Sequence, residues 1–355
     1  MKTWNVSQIA QSTSVETRTV LKRLPAAHAA LAELKGMATT MPNQQILINS
    51  LILREAKDSS EVENIVTSHD DLYKSELDLR GFHSLAAKEV QNYVEAMKLG
   101  YDLVQKNKML SNNVIKKIQA ELEENDAGFR KQAGTVFKNQ ATQEVVYTPP
   151  QHPDDIVDLM SKLERYINNE HADIDPLVQM AIIHHQFESI HPYYDGNGRT
   201  GRIINILFLI LKELQDLPIL YLSQYIFEHK RDYYRLLQEV RETSQWEDWI
   251  LFIIEGVEQT AREAISLINK IKSLMQEYKI RLRENYKFYS QDLINNLFRH
   301  PYTKIDFIVQ DLRVSRITAA NYLNQLANDG LLIKNQYGRT NYYINHKLYA
   351  ILSRR

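Results

Sequence analysis

The sequence predicts a mainly α-helical protein with a small β-hairpin near its middle and a C-terminal winged helix-turn-helix domain. Three observations carry this. Apolar residues recur at helical spacing over most of the chain. Strand-like alternation is confined to two short stretches, near 134–148 and from Leu331 to Ile344. Three short helices precede the second stretch, which is the order of helices and wing that such a domain requires.

Taken in order, Leu24 to about Leu110 reads as helices separated by polar turns. Pro25–Leu34 is the first, ended by Gly36. Asn43–Ala56 follows, with Ile46, Leu47, Leu51 and Leu53 apolar, and then Ser84–Leu99, ended by Gly100. Val136-Phe137, a polar Lys138–Gln143 turn and Val145-Val146-Tyr147 form the hairpin, closed off by Pro149-Pro150. Helices resume at Pro153, with Ile156, Leu159, Met160, Leu163 and Ile167 on one face. Asp175-Pro176 is an N-cap and first-turn pair for a helix reaching about Ile190. Arg202–Leu214 is apolar on nearly all sides and is read as a central buried helix. Ser223 caps a helix through Arg241. Trp246 to about Tyr286 is helical for an unusually long stretch, as two helices or as one connector. In the tail, Gln291–Phe298, Thr303–Leu312 and Arg316–Asn328 are helical, the last capped by Ser315 and stopped by Gly330. Leu331–Asn335 and Thr340–Ile344 alternate as strands around Tyr337-Gly338. A length of 355 residues exceeds the ~250–300 at which one core stops growing, so two or three domains are expected, and three regions are read. They are an N-terminal helical region (1–110), a core (111–288) and the tail (289–355).

Composition excludes several classes. No apolar run is long enough to span a bilayer, and the polar start MKTWNVSQIAQSTSVETRTV is unlike a signal peptide. With no cysteine, disulfides and thiolate chemistry are absent, and a cytoplasmic location is expected. The net charge of −1 hides an asymmetry: Leu297–Arg355 carries +6 and the remainder −7. If any part meets DNA, it is therefore the tail. Arg316, Thr318, Asn321 and Tyr322 on its third helix, with Lys334 and Arg339 near the wing, suit DNA; protein contact remains the alternative.

The chemistry concentrates in His191-Pro192-Tyr193-Tyr194-Asp195-Gly196-Asn197-Gly198-Arg199-Thr200-Gly201-Arg202. Gly196 and Gly198 let backbone N–H groups approach a ligand just where a helix begins, which makes an anion nest. Arg199 and Arg202 lie three apart on the first helical turn and can grip phosphate oxygens. Asn197 can bond a phosphate without adding charge. Asp195, a lone carboxylate beside the nest, suits one Mg²⁺. His191 stands at the rim, where a group titrating near neutrality can take a proton from a hydroxyl. The spacing Gly196, Gly198, Gly201 also matches a dinucleotide fingerprint. That reading fails, because it requires a preceding strand and a helix precedes here.

These twelve residues resemble the Fic motif HPFx(D/E)GNGRxxR at every defining position but one, where Tyr193 replaces Phe. The lead-in Gln186-Phe187-Glu188-Ser189-Ile190 and the hairpin near 134–148 look like the family's lead-in and flap. The resemblance implies a Fic-type helical bundle that transfers AMP from ATP to a Ser, Thr or Tyr hydroxyl of a protein, the enzyme itself included, with Mg²⁺. By position, His191 is then the general base and Asp195 the Mg²⁺ ligand. Gly196, Asn197, Gly198 and Arg199 form the phosphate cradle, and Arg202 holds the γ-phosphate. Tyr233 is a candidate for packing near the nucleotide, and Tyr193 is read as core, its hydroxyl in need of a partner.

Upstream, Ser59-Ser60-Glu61-Val62-Glu63-Asn64 matches the family's inhibitory pattern (S/T)xxxE(G/N). This implies an inhibitory helix near 59–66 that lays Glu63 onto Arg202. A second reading stays open, since Ser60-x-x-Glu63 is also a capping box. His184 and His185 are adjacent, point apart on a helix and read as packing residues rather than metal ligands. The leading function is an adenylyltransferase autoinhibited by Glu63. The alternatives are an enzyme that removes AMP using Glu63, and a DNA-binding regulator with a nucleotide-sensing core. The long Trp246–Tyr286 stretch also offers a homodimer seam.

Overall fold

The computed structural model describes residues 15–76, 84–138, 142–168, 173–337 and 340–353, and these are mainly helical with two small antiparallel sheets. The first helix, α1 (Arg18–Thr39), starts where the Thr17 hydroxyl accepts the Val20 N–H at 3.2 Å. It runs through both Pro25 and Gly36 rather than spanning only 25–34. Leu24, Ala27, Leu31, Leu34 and Ala38 are buried in the core. That packing outweighs a cost of ~1 kcal/mol for Gly and ~3 for Pro in a helix interior.

Helix α2 (Gln45–Val62) is longer than the expected 43–56, and the helix expected near 59–66 is its C-terminal end. Short α3 (His69–Glu76) follows. Helix α4 (Leu85–Asn107) starts where expected, capped by Ser84, but does not stop at Gly100. A Cβ there would lie 2.6 Å from Leu207 Cδ1 and 2.9 Å from Ile118 Cδ1, so this glycine is a crossing point between packed helices. Helix α5 (Asn112–Glu123) falls in a stretch where the sequence reading placed no element. The hairpin β1 (Phe137–Lys138) and β2 (Val145–Tyr147) pairs Phe137 with Tyr147 and Lys138 with Val145. The middle of its turn, 139–141, lies outside the described residues.

Helices α6 (Pro153–Ile167), α7 (Pro176–Ile190) and α8 (Asn197–Leu211) follow the sequence reading closely. Asp175 caps α7 by accepting the Leu177 N–H at 2.9 Å. Ile203, Ile204, Leu207, Phe208 and Leu209 make α8 the buried centre of the bundle. The single helix expected from Ser223 to Arg241 is divided at His229 into α9 (Leu222–Glu228) and α10 (Lys230–Thr243). Ser223 is not the cap; its hydroxyl and backbone N–H both go to the buried Glu55 carboxylate. The long stretch is one helix, α11 (Glu247–Asn285), and α1 packs along it.

The tail holds α12 (Gln291–Arg299), β3 (Tyr302–Lys304), α13 (Ile305–Leu312), α14 (Arg316–Asn328), β4 (Ile333–Tyr337), β5 (Thr340–Ile344) and α15 (His346–Ser353). Its sheet has three strands in the order β3-β5-β4. The helix expected from Thr303 begins two residues later, because Tyr302, Thr303 and Lys304 pair with Ile344, Tyr343 and Tyr342. The expected two-stranded wing is thus part of a larger sheet closed by a further helix. Three of the residues named for DNA have partners within the chain. Arg316 pairs with Asp306, Tyr322 stacks on Phe288 with centroids 4.0 Å apart, and Lys334 donates to Asn324 at 2.8 Å. Gly338 and Arg339 lie outside the described residues. Among the described residues no helix is long and apolar enough to cross a membrane.

Candidate active site

The site forms where α7 ends and α8 begins. His191 closes α7 in the left-handed region (φ 50°), its N–H returning to the Phe187 carbonyl at 2.9 Å. Gly196, also left-handed (φ 72°), opens α8. Between them the loop is braced from inside. The buried Asn197 side chain accepts the Tyr193 N–H and donates to the Tyr193 carbonyl, both at 2.9 Å. Its amide oxygen and one amide N–H are therefore committed to holding the loop.

A second brace was missed by sequence reasoning. Arg130, 1% exposed, donates its backbone N–H to Pro192 O and its Nε to His191 O, both at 2.8 Å, and reaches Pro150 O. An arginine in irregular chain gives no periodic signal, so nothing in the sequence marks it.

Arg199 and Arg202, each 3% exposed, face a wall of carboxylates. Arg202 donates Nε to Ser59 Oγ at 2.7 Å and Nη2 to Ser59 O at 3.0 Å and Glu63 Oε1 at 2.7 Å. Arg199 lies 3.3 Å from Glu63 Oε2 through Nε, and donates to Glu89 and Glu123 at 2.8 and 2.9 Å. Glu89 on α4 and Glu123 on α5 were not anticipated. Two glycines make this arrangement possible. A Cβ on Gly198 would lie 2.5 Å from Glu63 Oε1, and one on Gly196 would overlap Glu123 Oε1.

The geometry of Glu63 excludes the capping-box reading. It terminates α2 rather than starting a helix, and Asn64 follows it at φ 67°. Ile65 N–H bonds Ser60 O and Asn64 N–H bonds Glu61 O, both at 3.0 Å. That is a Schellman ending, which needs Gly or Asn at the left-handed position. The inhibitory pattern's final (G/N) thus has a backbone cause.

The His191 imidazole is held far below its usual pKa, at about 3, first by burial and then by the Arg130 and Arg241 cations. It is neutral at pH 7, the form able to accept a proton. Its Nδ1 is buried without a partner, and the Phe137 ring meets it edge-on at 4.6 Å. Asp195 is exposed, one oxygen taking the Gly196 N–H at 2.8 Å. Tyr193 is buried against Phe129 and Phe187, and its hydroxyl has no partner among the described residues. Tyr233 is 1% exposed, its hydroxyl 2.8 Å from His184 Nε2. Its exposed neighbour Tyr234 is the ring at the surface. His184 stacks on Trp249 and His185 bonds Leu237 O, the packing roles read from their adjacency. Glu188, part of the lead-in, is buried near Arg202, and burial pushes its pKa up to about 7.

Three family models match in chain order. Residues 21–102 match the Fic/DOC family N-terminal model and 109–209 the Fic/DOC family model. Residues 274–348 match the C-terminal domain of protein adenylyltransferase SoFic-like proteins. The chain belongs to the Fic family. Among curated relatives it is 30% identical over 112 residues to protein adenylyltransferase Fic of Drosophila yakuba, covering 31% of this chain and 21% of that protein. It is 41% identical over 56 residues to the protein of the same name from Drosophila melanogaster, covering 16% of this chain and 11% of the relative. The matched segments thus span about a fifth or less of these relatives' length. A Fic family protein from Desulfovibrio desulfuricans G20 has the same fold at 21% identity, with TM-score 0.58 over 91% of this chain and 95% of that one.

Proposed function

We propose that this Fic-family protein is an adenylyltransferase that moves AMP from ATP to a protein hydroxyl, and that Glu63 holds it off at rest. One observation carries the reading. The buried Arg202, beside a glycine nest, is bonded to a carboxylate that belongs to another helix and stands where a phosphate oxygen would. An arginine fork that accepts a carboxylate accepts a phosphate by the same geometry.

In the reaction, His191 takes the proton of the acceptor hydroxyl as its oxygen bonds to the α-phosphorus. The bond from that phosphorus to the β-bridging oxygen breaks, and pyrophosphate leaves with the electron pair. Arg202 holds the γ-phosphate once Glu63 has moved. Backbone N–H groups at Gly196, Asn197 and Gly198, at the positive end of α8, stabilise the remaining phosphates, with Arg199 beside them. The residues present fit Mg²⁺: Asp195 is exposed, keeps one oxygen free and adjoins the nest. Bound there, Mg²⁺ would neutralise phosphate charge, with Asp195 as its protein ligand. Ser59 keeps Arg202 in place in both states.

The test is transfer of α-labelled AMP to lysate protein and to the chain itself. The wild type should label weakly and Glu63→Gly strongly, with Glu63→Gly/His191→Ala silent. A silent Glu63→Gly protein with Mg²⁺ and lysate present defeats the proposal. Release of AMP from a purified modified acceptor by the wild type, lost in Glu63→Gly, would assign the reverse reaction instead.

A further inference from the structure

We propose that Arg241, on the last turns of α10, is a positioning residue that fixes the hairpin over His191 and so sets where an acceptor hydroxyl arrives. This rests on the AMP-transfer reading and adds a residue that no motif contains.

The hairpin has little to hold itself up. Its ladder is two residue pairs, and an isolated hairpin is at best marginal in water. It is also undercut: a cavity of about 610 Å³ lies behind it, with Tyr147, Gln186, Ser189, Gln238 and Arg241 among its walls. Support must come from side chains, and these converge on one guanidinium. Arg241 lies over the Tyr147 ring at 4.1 Å and the Phe137 ring at 5.7 Å, one from each strand. Below, its Nε donates to Ser189 Oγ at 3.1 Å and its Nη2 to Glu188 O at 3.4 Å, on the last turn before His191. The Tyr147 hydroxyl closes the loop by donating to Ser189 O at 2.7 Å. One turn earlier on α10, Gln238 donates to Val146 O at 3.1 Å. The same Phe137 ring that Arg241 covers meets His191 edge-on.

Arg241 makes no ion pair among the described residues; its guanidinium lies over two rings and donates to neutral oxygens. A planar fork that stacks and donates at once is something lysine cannot reproduce. Val136, Val145 and Val146 stay exposed on the hairpin.

The experiment uses the full chain carrying Glu63→Gly, with total lysate protein as acceptor and α-labelled ATP. In that background Arg241→Gln should cut labelling of lysate protein at least tenfold, while half-saturation by Mg-ATP changes less than twofold. Arg241→Lys should recover under a third of the loss. Tyr147→Leu should reproduce the defect, and the double variant should be no worse than either single one, as expected for residues acting as one unit. Hydrogen exchange gives a readout free of activity: amides 136–138 and 145–147 should exchange at least tenfold faster in Arg241→Gln. Parallel loss of Mg-ATP affinity, additive effects of the two variants, or unchanged hairpin exchange would each overturn the inference. If the Glu63→Gly parent itself fails to label, the proposed function falls instead, and hairpin exchange alone still tests the anchor.

Discussion

Replacing Glu63 should change nucleotide affinity by an amount that the geometry bounds. Its carboxylate lies 2.7 Å from Arg202 Nη2 and 3.3 Å from Arg199 Nε, and the Glu63 side chain is 24% exposed. Two unit charges 4 Å apart near a protein surface attract by about 4 kcal/mol, so the gross attraction is at least of that order. Most of it is offset by desolvation and by partners that remain. Arg202 keeps two bonds from Ser59, and Arg199 keeps Glu89 and Glu123. A net release of roughly 2–3 kcal/mol is a reasonable fraction of the 3–5 kcal/mol typical of breaking a buried pair. At 1.4 kcal/mol per decade, Glu63→Gly should bind Mg-ATP about 30- to 150-fold more tightly than the wild type. Glu63→Gln, which keeps the shape and loses the charge, should fall between them. The same substitution should lower the stability of the nucleotide-free protein by about 1–3 kcal/mol, because Arg202 loses its counter-charge. Saturating Mg-ATP should restore about as much. Titration calorimetry with Mg-ATP and thermal melts measure the two effects. An affinity change under threefold for Glu63→Gly, or Glu63→Gln indistinguishable from wild type, would show that Glu63 does not compete with phosphate for Arg202.

Three further outcomes are expected. With the His191 pKa held at about 3 by burial, Arg130 and Arg241, the base stays neutral well below pH 6.5, so transfer by Glu63→Gly should be flat from pH 8 to 6; an acid limb with its midpoint near 6.5 would refute this. Asn197→Ala removes both bonds to the Tyr193 backbone and strands a buried N–H, which should cost about 2–3 kcal/mol in chemical denaturation; a loss under 0.5 would contradict the bracing role. Gly100→Ala should destabilise by about 1–3 kcal/mol despite alanine's better helix propensity, since its Cβ meets Leu207 and Ile118; a rise in melting temperature would mean that the neighbours give way freely.

The sequence by itself determined most of the long helices, the hairpin and where the chemistry lies. Asp175 and Ser315 cap the helices they were read to cap, through side-chain bonds reaching two or three residues, and α6 follows from apolar spacing on one face. The motif loop was legible for the same reason, because its glycines, arginines, Asp195 and His191 serve one local turn. What the tertiary structure decided is everything that depends on distant partners. Gly36 and Gly100 were read as helix ends, yet packing carries the helices through them. Tyr302–Lys304 became a strand because β5 lies alongside, and Ser223 was drawn from capping to the Glu55 carboxylate 168 residues away in sequence. Tyr233 was turned inward by His184, and Asn197 was claimed by Tyr193. Most of all, the pattern at Ser59–Asn64 allowed both a capping box and a hand laid on Arg202. Only the long-range contact, which no local propensity encodes, brought Glu63 and Arg202 to 2.7 Å.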